Sequence, residues 1–153
     1  MFRLAHTHNR IHRSGIANQL HTIGIAKELL CGEKRVAATP DTVSAYVKSG
    51  FGVMVESGAG EQSNWSDDSY IERGARIGTQ TDIWKQDTIL KINTPTKEEI
   101  GLLGSKSIIS PIWPAKNTIL MDRLVENKAT AVALDCIPRT ISRGQSFDIL
   151  SSQ

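Results

Sequence analysis

The sequence predicts an α/β protein in which a parallel sheet is flanked by helices. From residue 22 onward, short β-like runs alternate with capped helical segments, the order expected when helices connect and cover parallel strands. The β-like runs are largely apolar, which indicates strands that are buried on both faces. A length of 153 residues fits one compact unit rather than two full-sized domains.

Five strands are predicted, at residues 22–26, 52–56, 88–92, 107–112 and 130–134. Four helices are predicted to begin at capping residues, namely Thr39, Ser66, Thr96 and Asn117. Pro40 at the first helical position supports the first of these starts, and the Thr96–Glu99 capping box supports the third. The first three helices are expected to stop at Gly50, Gly74 and Gly104.

Charge is distributed unevenly along the chain. The formal net charge is +2, but residues 1–21 hold three Arg, four His and no Asp or Glu, which leaves the remainder slightly acidic. The body therefore lacks the basic surface expected of a nucleic-acid-binding protein. Its longest apolar runs, such as residues 108–113, are far shorter than the roughly 18 residues that a membrane-spanning helix requires. We expect no membrane insertion by this segment.

Residues 1–21 are predicted to form a basic arm distinct from the body. An acid-free, Arg-bearing N-terminus is typical of a mitochondrial-type targeting segment; an unstructured extension and a start codon assigned too early are the alternatives. His6, His8 and His12 lack an acidic or Cys partner nearby, so no metal site is predicted.

The body contains no histidine, because all four lie in the arm. A Ser-His-Asp or Cys-His nucleophile needs an imidazole base, and catalytic zinc nearly always needs imidazole ligands. Residues 22–153 alone therefore assemble neither kind of site. Cys31 and Cys136 are too far apart in sequence to form a metal knuckle, and we expect two free thiols.

A glycine-rich run at residues 57–63 follows the second predicted strand and resembles the start of a dinucleotide fingerprint. Ser63 stands where G-x-G-x-x-G requires its third glycine, and the next capped helix begins only after Trp65. We therefore interpret the run as a glycine-rich turn.

Three side chains near predicted strand ends are candidates for ligand contact. Arg35 follows the first strand and is suited to clamping a carboxylate, although a surface Arg is more often simply solvated. Lys91, at the end of the third predicted strand, is a weaker candidate of the same kind. Trp113, between two prolines, either forms the wall of a pocket or belongs to the core, and we favour the core.

The densest polar stretch of the body spans residues 138–148. If a helix begins at Gln145, then Gln145, Asp148 and Ser151 share one side of it, opposite Phe147 and Leu150. Such groups suit an amide-bearing ring such as nicotinamide; a capped polar helix start is the alternative.

Two longer segments carry a family resemblance. Residues 23–43, IGIAKELLCGEKRVAATPDTV, and residues 55–77, VESGAGEQSNWSDDSYIERGARI, resemble in the same order the family that unites alanine dehydrogenase with the NAD(H)-binding first domain of proton-translocating NAD(P)+ transhydrogenase. The resemblance covers residues 22–153. It implies a flavodoxin-like or Rossmann-like N-terminal subdomain, without the G-x-G-x-x-G Rossmann subdomain that follows it in the family.

Two positions favour the transhydrogenase branch of this family. Alanine dehydrogenases carry a second Lys in a K-V-K-E-P pattern, where this chain has Asn93, and a proton-transferring His after the next strand, where it has Trp113. The resemblance then implies hydride transfer from NADH to NADP+ coupled to proton translocation. Hydride transfer between two nicotinamides moves no proton at the reacting carbons, so an imidazole base is not required.

The resemblance also implies the cofactor-binding residues. The family's nicotinamide contacts fall on Arg139, Gln145, Asp148 and Ser151, and Arg143 is included because Arg139 lies six residues before Gln145 instead of five. No residue is assigned a catalytic role. The cofactor is NAD(H), and NADP(H) would bind a domain absent from this chain.

The predicted organisation is an arm at 1–21, an α/β domain at 22–138, and a nicotinamide-side loop with the start of a truncated linker helix at 139–153. The expected partners are the remaining transhydrogenase domains or subunits and a second copy in a homodimer. The expected location is the matrix side of the mitochondrial inner membrane, or the cytoplasmic side of a bacterial one. We expect the isolated chain to be inactive; an alanine dehydrogenase-like enzyme and a non-catalytic, partner-binding remnant are the alternatives.

Overall fold

The structure is a computed structural model and describes residues 21–138. Six parallel strands form one sheet in the order β3-β2-β1-β4-β5-β6, with bounds Thr22–Ile25, Gly52–Glu56, Arg76–Gly78, Thr88–Leu90, Ser107–Ser110 and Thr130–Ala133 for β1 to β6. This confirms the predicted fold class and all five predicted strands. β4 and β5 each end two residues earlier than predicted, and β3 was not predicted.

Five helices connect the strands: α1 Pro40–Lys48, α2 Asp67–Ile71, α3 Gln80–Ile83, α4 Lys97–Leu103 and α5 Thr118–Glu126. The predicted caps at Thr39, Ser66 and Thr96 are present, each hydroxyl accepting a bond from a backbone N–H of the first turn. α5 also begins directly after the predicted Asn117, but the Asn117 side chain makes no capping bond, and its Nδ2 instead donates to the Ile112 carbonyl at 2.8 Å. Within residues 21–138 no helix has the length and apolar character needed to span a bilayer.

Two hydrophobic clusters lie on opposite faces of the sheet. On one face, Val43 of α1 and Tyr70 of α2 pack against β1 and β2. On the other, side chains of α3, α4 and α5 pack against β4 and β5. Successive strand residues point to opposite faces, so Ile89 packs in the second cluster while its neighbour Leu90 packs against the first. The helices therefore cover the two faces of the sheet, α1 and α2 on one and α3, α4 and α5 on the other.

The strand order reverses between β1 and β4, which are adjacent in the sheet although α1, β2, α2, β3 and α3 separate them in sequence. In open α/β sheets, ligands bind in the crevice at the carboxyl ends of the strands flanking such a reversal. The loops that follow β1 and β4 meet there.

Candidate functional site

A buried ionic cluster occupies the crevice between the carboxyl ends of β1 and β4. The Lys91 ammonium donates to Glu99 Oε1 at 2.7 Å and lies 3.8 Å from Glu28 Oε2. All three side chains are 2% exposed. Buried charges are costly unless they are paired and hydrogen-bonded, so these residues depend on one another.

Both carboxylates of this cluster also bind backbone amides. Glu28 accepts from the N–H of Ile92 at 2.7 Å and of Asn93 at 3.3 Å, which fixes the start of the loop after β4 to the loop after β1. Glu99 Oε2 accepts from the Thr96 N–H at 2.8 Å within the α4 capping box. The cluster is therefore a scaffold that joins β1, β4 and α4.

Arg35, a candidate for clamping a ligand carboxylate, instead pairs with the carboxylate of Glu33 in the same loop. Its Nε and Nη2 donate to the two Glu33 oxygens at 2.8 and 2.7 Å. Asn93 Nδ2 donates to Glu33 Oε2 at 3.0 Å and to Glu28 Oε2 at 3.2 Å. The Arg35 hydrogen bonds, supported by Asn93, lower the pKa of Glu33 to about 2.

A cavity of about 390 Å³ opens beside the ionic cluster, lined in part by Leu29, Leu30 and Thr94. Its charged lining groups are Glu28, Lys91 and Glu99, which already bond within the protein. Glu56, at the end of β2, accepts from the Lys27 N–H at 2.9 Å, and burial raises the pKa of its carboxyl. The crevice is thus polar, but its charges are directed at one another.

The glycine-rich run folds as a turn closed by a carboxylate of its own chain. Asp67 accepts from the Gly58 N–H at 2.9 Å and from the Ser57 hydroxyl at 2.8 Å. Gly60 is required for packing, since a Cβ there would lie 2.7 Å from Tyr70 Cε2 and 2.8 Å from the Trp65 carbonyl oxygen. A pyrophosphate does not fit here, because Asp67 occupies the anion position of the turn.

Trp113 is not a core residue, and the core interpretation of it is wrong. Its side chain is 46% exposed, and its φ of 51° is an outlier for a bulky residue. The Asp135 carboxylate accepts from the N–H groups of Ile112 and Trp113 at 2.7 and 3.0 Å. Lys116 Nζ lies 5.5 Å from the centre of the indole ring. This indole is held at the carboxyl end of β5.

The predicted nicotinamide-contacting residues lie outside residues 21–138, which the structure describes. They are Arg139, Arg143, Gln145, Asp148 and Ser151. Of the other sequence candidates, Arg35 and Lys91 lie in the crevice, bonded to Glu33 and Glu99 respectively.

The sequence matches the family described as "Alanine dehydrogenase/PNT, N-terminal domain" over residues 24–153. The chain belongs to this family. The match confirms the resemblance carried by residues 23–43 and 55–77. The crevice described above is therefore part of the N-terminal domain of an alanine dehydrogenase/PNT protein.

Among its curated relatives, the chain is 46% identical over 131 residues to NAD(P) transhydrogenase subunit alpha of Haemophilus influenzae, covering 85% of this chain and 25% of the relative. It is 34% identical over 117 residues to alanine dehydrogenase of Staphylococcus saprophyticus, covering 75% of this chain and 32% of the relative. The chain thus spans about a quarter to a third of these oxidoreductases.

A solved transhydrogenase structure from Sinorhizobium meliloti has the same fold. Its TM-score is 0.80 at 37% identity, over 86% of this chain and 40% of that one. Both the family and the fold of the alanine dehydrogenase/PNT N-terminal domain are therefore established for this chain.

Three residues of the crevice escaped the sequence analysis as site residues: Glu28, Glu33 and Glu99. Glu99 was noted only as part of a capping box. It forms that capping box with one carboxylate oxygen and the buried ion pair with Lys91 with the other. Glu33 lies two residues before Arg35, a spacing that permits a local ion pair but does not require one. Glu28 carries no local signal, because its partners lie 63 to 65 positions away.

Proposed function

We propose that this chain is the N-terminal part of the first domain of a proton-translocating NAD(P)+ transhydrogenase, which transfers hydride from NADH to NADP+. The observation that carries the proposal is the identity of two side chains, Asn93 in the crevice and Trp113 after β5. Asn93 bridges the carboxylates of Glu28 and Glu33, and an indole, Trp113, stands where an amino-acid dehydrogenase needs a proton-transferring imidazole. Neither position offers the chemistry of amino-acid oxidation.

NAD(H) is the proposed cofactor, held by this chain at its nicotinamide end. Arg139 or Arg143, with Gln145, Asp148 and Ser151, would contact the ring and its carboxamide. When bound, the cofactor supplies the hydride. The glycine-rich turn does not offer the pyrophosphate its Gly58 N–H, because Asp67 accepts from that group at 2.9 Å. In the family the G-x-G-x-x-G Rossmann subdomain would hold the pyrophosphate. We therefore expect residues 1–153 alone to bind NADH poorly and to be inactive.

An alanine dehydrogenase-like activity is the second candidate, favoured by Arg35, whose guanidinium in the crevice is suited to a substrate carboxylate. Against it, the Arg35 guanidinium already forms two bonds with Glu33. A non-catalytic, partner-binding remnant is the third candidate. It draws support from exposed apolar side chains such as Leu30 and Val125.

The proposed partners are the other transhydrogenase domains, namely the Rossmann NAD subdomain, the membrane domain and the NADP(H) domain, together with a second copy in a homodimer. The acid-free arm at residues 1–21 supports the matrix side of the mitochondrial inner membrane as the location. The bacterial origin of the transhydrogenase relatives supports the alternative, the cytoplasmic side of a bacterial inner membrane.

The first test is the size of the endogenous polypeptide, detected with an antibody raised against residues 36–77. A membrane-fraction band several times larger than 16.8 kDa is expected. A soluble band near 16.8 kDa would contradict the proposal and favour the remnant. NAD(H) turnover that depends on alanine or pyruvate would favour the dehydrogenase instead.

An NADH fluorescence titration tests the fragment itself. Residues 1–153 should show no micromolar affinity, whereas the complete polypeptide should bind. Micromolar binding by the fragment would show that the cofactor site is complete without the fingerprint subdomain.

A further inference from the structure

We propose that Glu33 is a specificity-determining residue: it occupies the Arg35 guanidinium as an internal carboxylate and thereby excludes 2-oxo acids and amino acids from the crevice. The inference rests on the proposed function and deepens it, because it names the ligand class that the crevice rejects and the residue that rejects it. The family resemblance assigns Glu33 no role.

Glu33 binds Arg35 in the geometry that a carboxylate ligand would adopt. The Arg35 Nε and Nη2 donate to Glu33 Oε1 and Oε2 at 2.8 and 2.7 Å, so the pair is bidentate. The Arg35 backbone N–H adds a third bond, to Glu33 Oε1 at 3.0 Å. Both oxygens of Glu33 and one edge of the guanidinium are therefore occupied, and the same carboxylate neutralises the charge of the remaining edge.

Glu33 differs from an ordinary surface partner because its side chain is nearly buried and is held from a second loop. That side chain is 8% exposed, whereas the Arg35 side chain is 52% exposed. Asn93 Nδ2 donates to Glu33 Oε2 at 3.0 Å, and Asn93 is itself bonded to Glu28 through its backbone N–H at 3.3 Å and its side chain at 3.2 Å. Fully exposed ion pairs are weak, but a nearly buried carboxylate with guanidinium and amide donors keeps its position.

The space around Arg35 leaves no room for a ligand carboxylate. The recess that Arg35 and Glu33 line measures about 10 Å³, roughly the space of a single water. The adjacent cavity of about 390 Å³ is large enough for a small ligand, but its lining cation, Lys91, is paired with Glu99. A 2-oxo acid that entered this cavity would meet no free guanidinium.

The other cations of the recess do not replace the guanidinium. Lys27 and Lys34 also line it, but a lysine ammonium presents a point charge, whereas a guanidinium binds a carboxylate through two parallel bonds. Glu33 competes for Arg35 from two residues away, at an effective concentration on the order of millimolar or above. A free 2-oxo acid at lower concentration is therefore outcompeted.

The test measures the binding of pyruvate, a small 2-oxo acid, to the complete native polypeptide by calorimetry. Glu33→Ala frees Arg35 and enlarges the recess, and we expect it to bind pyruvate roughly ten- to a hundredfold more tightly than the wild type does. Glu33→Gln, which keeps the size of the side chain but removes its charge, should give a smaller gain. Glu72→Ala, at an exposed position after α2, is the matched control and should bind as the wild type does.

Two further measurements separate the release of Arg35 from a general loosening of the domain. Adding Arg35→Lys to Glu33→Ala should abolish the gain in affinity, because lysine does not form the bidentate pair. Methyl pyruvate, which lacks the carboxylate charge, should bind no variant more tightly than the wild type. Circular dichroism checks that each variant is folded, and Glu33→Gln decides the test if Glu33→Ala is not.

The outcomes distinguish this inference from the proposed function. Equal affinity for pyruvate in the wild type and in the folded Glu33 variants would overturn the inference and leave the proposed function standing. A gain that persists when Arg35→Lys is added would overturn it in the same way. Pyruvate-dependent NAD(H) turnover by the wild-type polypeptide would overturn both.

Discussion

The Lys91 ammonium lies 2.7 Å from the Glu99 carboxylate, and both side chains are 2% exposed. This pair joins the end of β4 to the first turn of α4 at the point where the strand order of the sheet reverses. Because Glu28 lies 3.8 Å from the same ammonium, two buried carboxylates depend on one cation.

Lys91→Ala should therefore destabilise the domain strongly. Removing the cation leaves two buried carboxylates without their counter-charge, and breaking a buried pair in this way costs about 3 to 5 kcal/mol. Urea unfolding measures the loss in the free energy of unfolding. Lys85→Ala is the control: it breaks the exposed pair with Asp82 and should cost less than about 1 kcal/mol. Equal losses for the two variants would contradict the buried-pair assignment.

Glu33 should make stability depend on pH in the acid range. Its pKa falls from the ordinary value of 4.5 to about 2 in the folded protein. A lowered pKa contributes stability above the unfolded value, and this contribution is lost as the pH drops from about 4.5 to about 2. In Glu33→Gln, the free energy of unfolding should fall less steeply across that window. If urea unfolding gave the wild type and Glu33→Gln the same dependence of the free energy of unfolding on pH, the Glu33–Arg35 ion pair would not contribute to stability.

Gly60→Ala should destabilise the glycine-rich turn through a steric clash. Its Cβ would lie 2.7 Å from Tyr70 Cε2 and 2.8 Å from the Trp65 carbonyl oxygen, and overpacking of this kind costs about 1 to 3 kcal/mol. Gly101→Ala, inside α4 with nothing within 4 Å of its Cβ, should instead stabilise by about 0.5 to 1 kcal/mol. Thermal unfolding should shift the two midpoints in opposite directions, and a shared direction would refute the packing argument.

Asp135→Ala should loosen the turn that carries Trp113. The variant removes the acceptor of two N–H groups at 2.7 and 3.0 Å, and bonds to a charged group contribute about 1.5 to 3 kcal/mol each. We expect lower stability and faster amide exchange at Ile112 and Trp113. Asp122→Ala, at an exposed position of α5, is the matched control. Unchanged amide exchange at residues 112 and 113 would show that the turn keeps its conformation without the Asp135 carboxylate.

Local patterns were sufficient to predict the longer elements of the fold. The apolar runs of β1 and β2, and the caps at Thr39 and Thr96, each carry a signal within a few residues. β3 was missed because it has three residues with Ile77 as its one apolar side chain, and α3 because it is a single turn. Such elements are stabilised by their neighbours more than by their own sequence.

The site was less predictable because its partners are distant in sequence. Arg35 was a candidate carboxylate clamp beside the more common solvated alternative, and the position of its partner Glu33 depends on Asn93, 60 residues away. For Trp113, between two prolines after a predicted strand, the core was favoured over a pocket wall. Its exposure follows from a left-handed turn at a non-glycine residue, for which the sequence carries no signal. The order of the alanine dehydrogenase/PNT motifs identified the family where local physics did not.

The reversal of strand order has a consequence for how the domain unfolds. β1, β2 and β3 precede β4, β5 and β6 in the chain, but each hydrophobic cluster contains residues from both sides of the reversal. Met54 of β2 packs in the cluster that covers β4 and β5, and Leu90 of β4 packs in the cluster of α1 and α2. The two halves of the sheet should therefore open together, and hydrogen exchange should show similar protection for the backbone amides of β1 and β4.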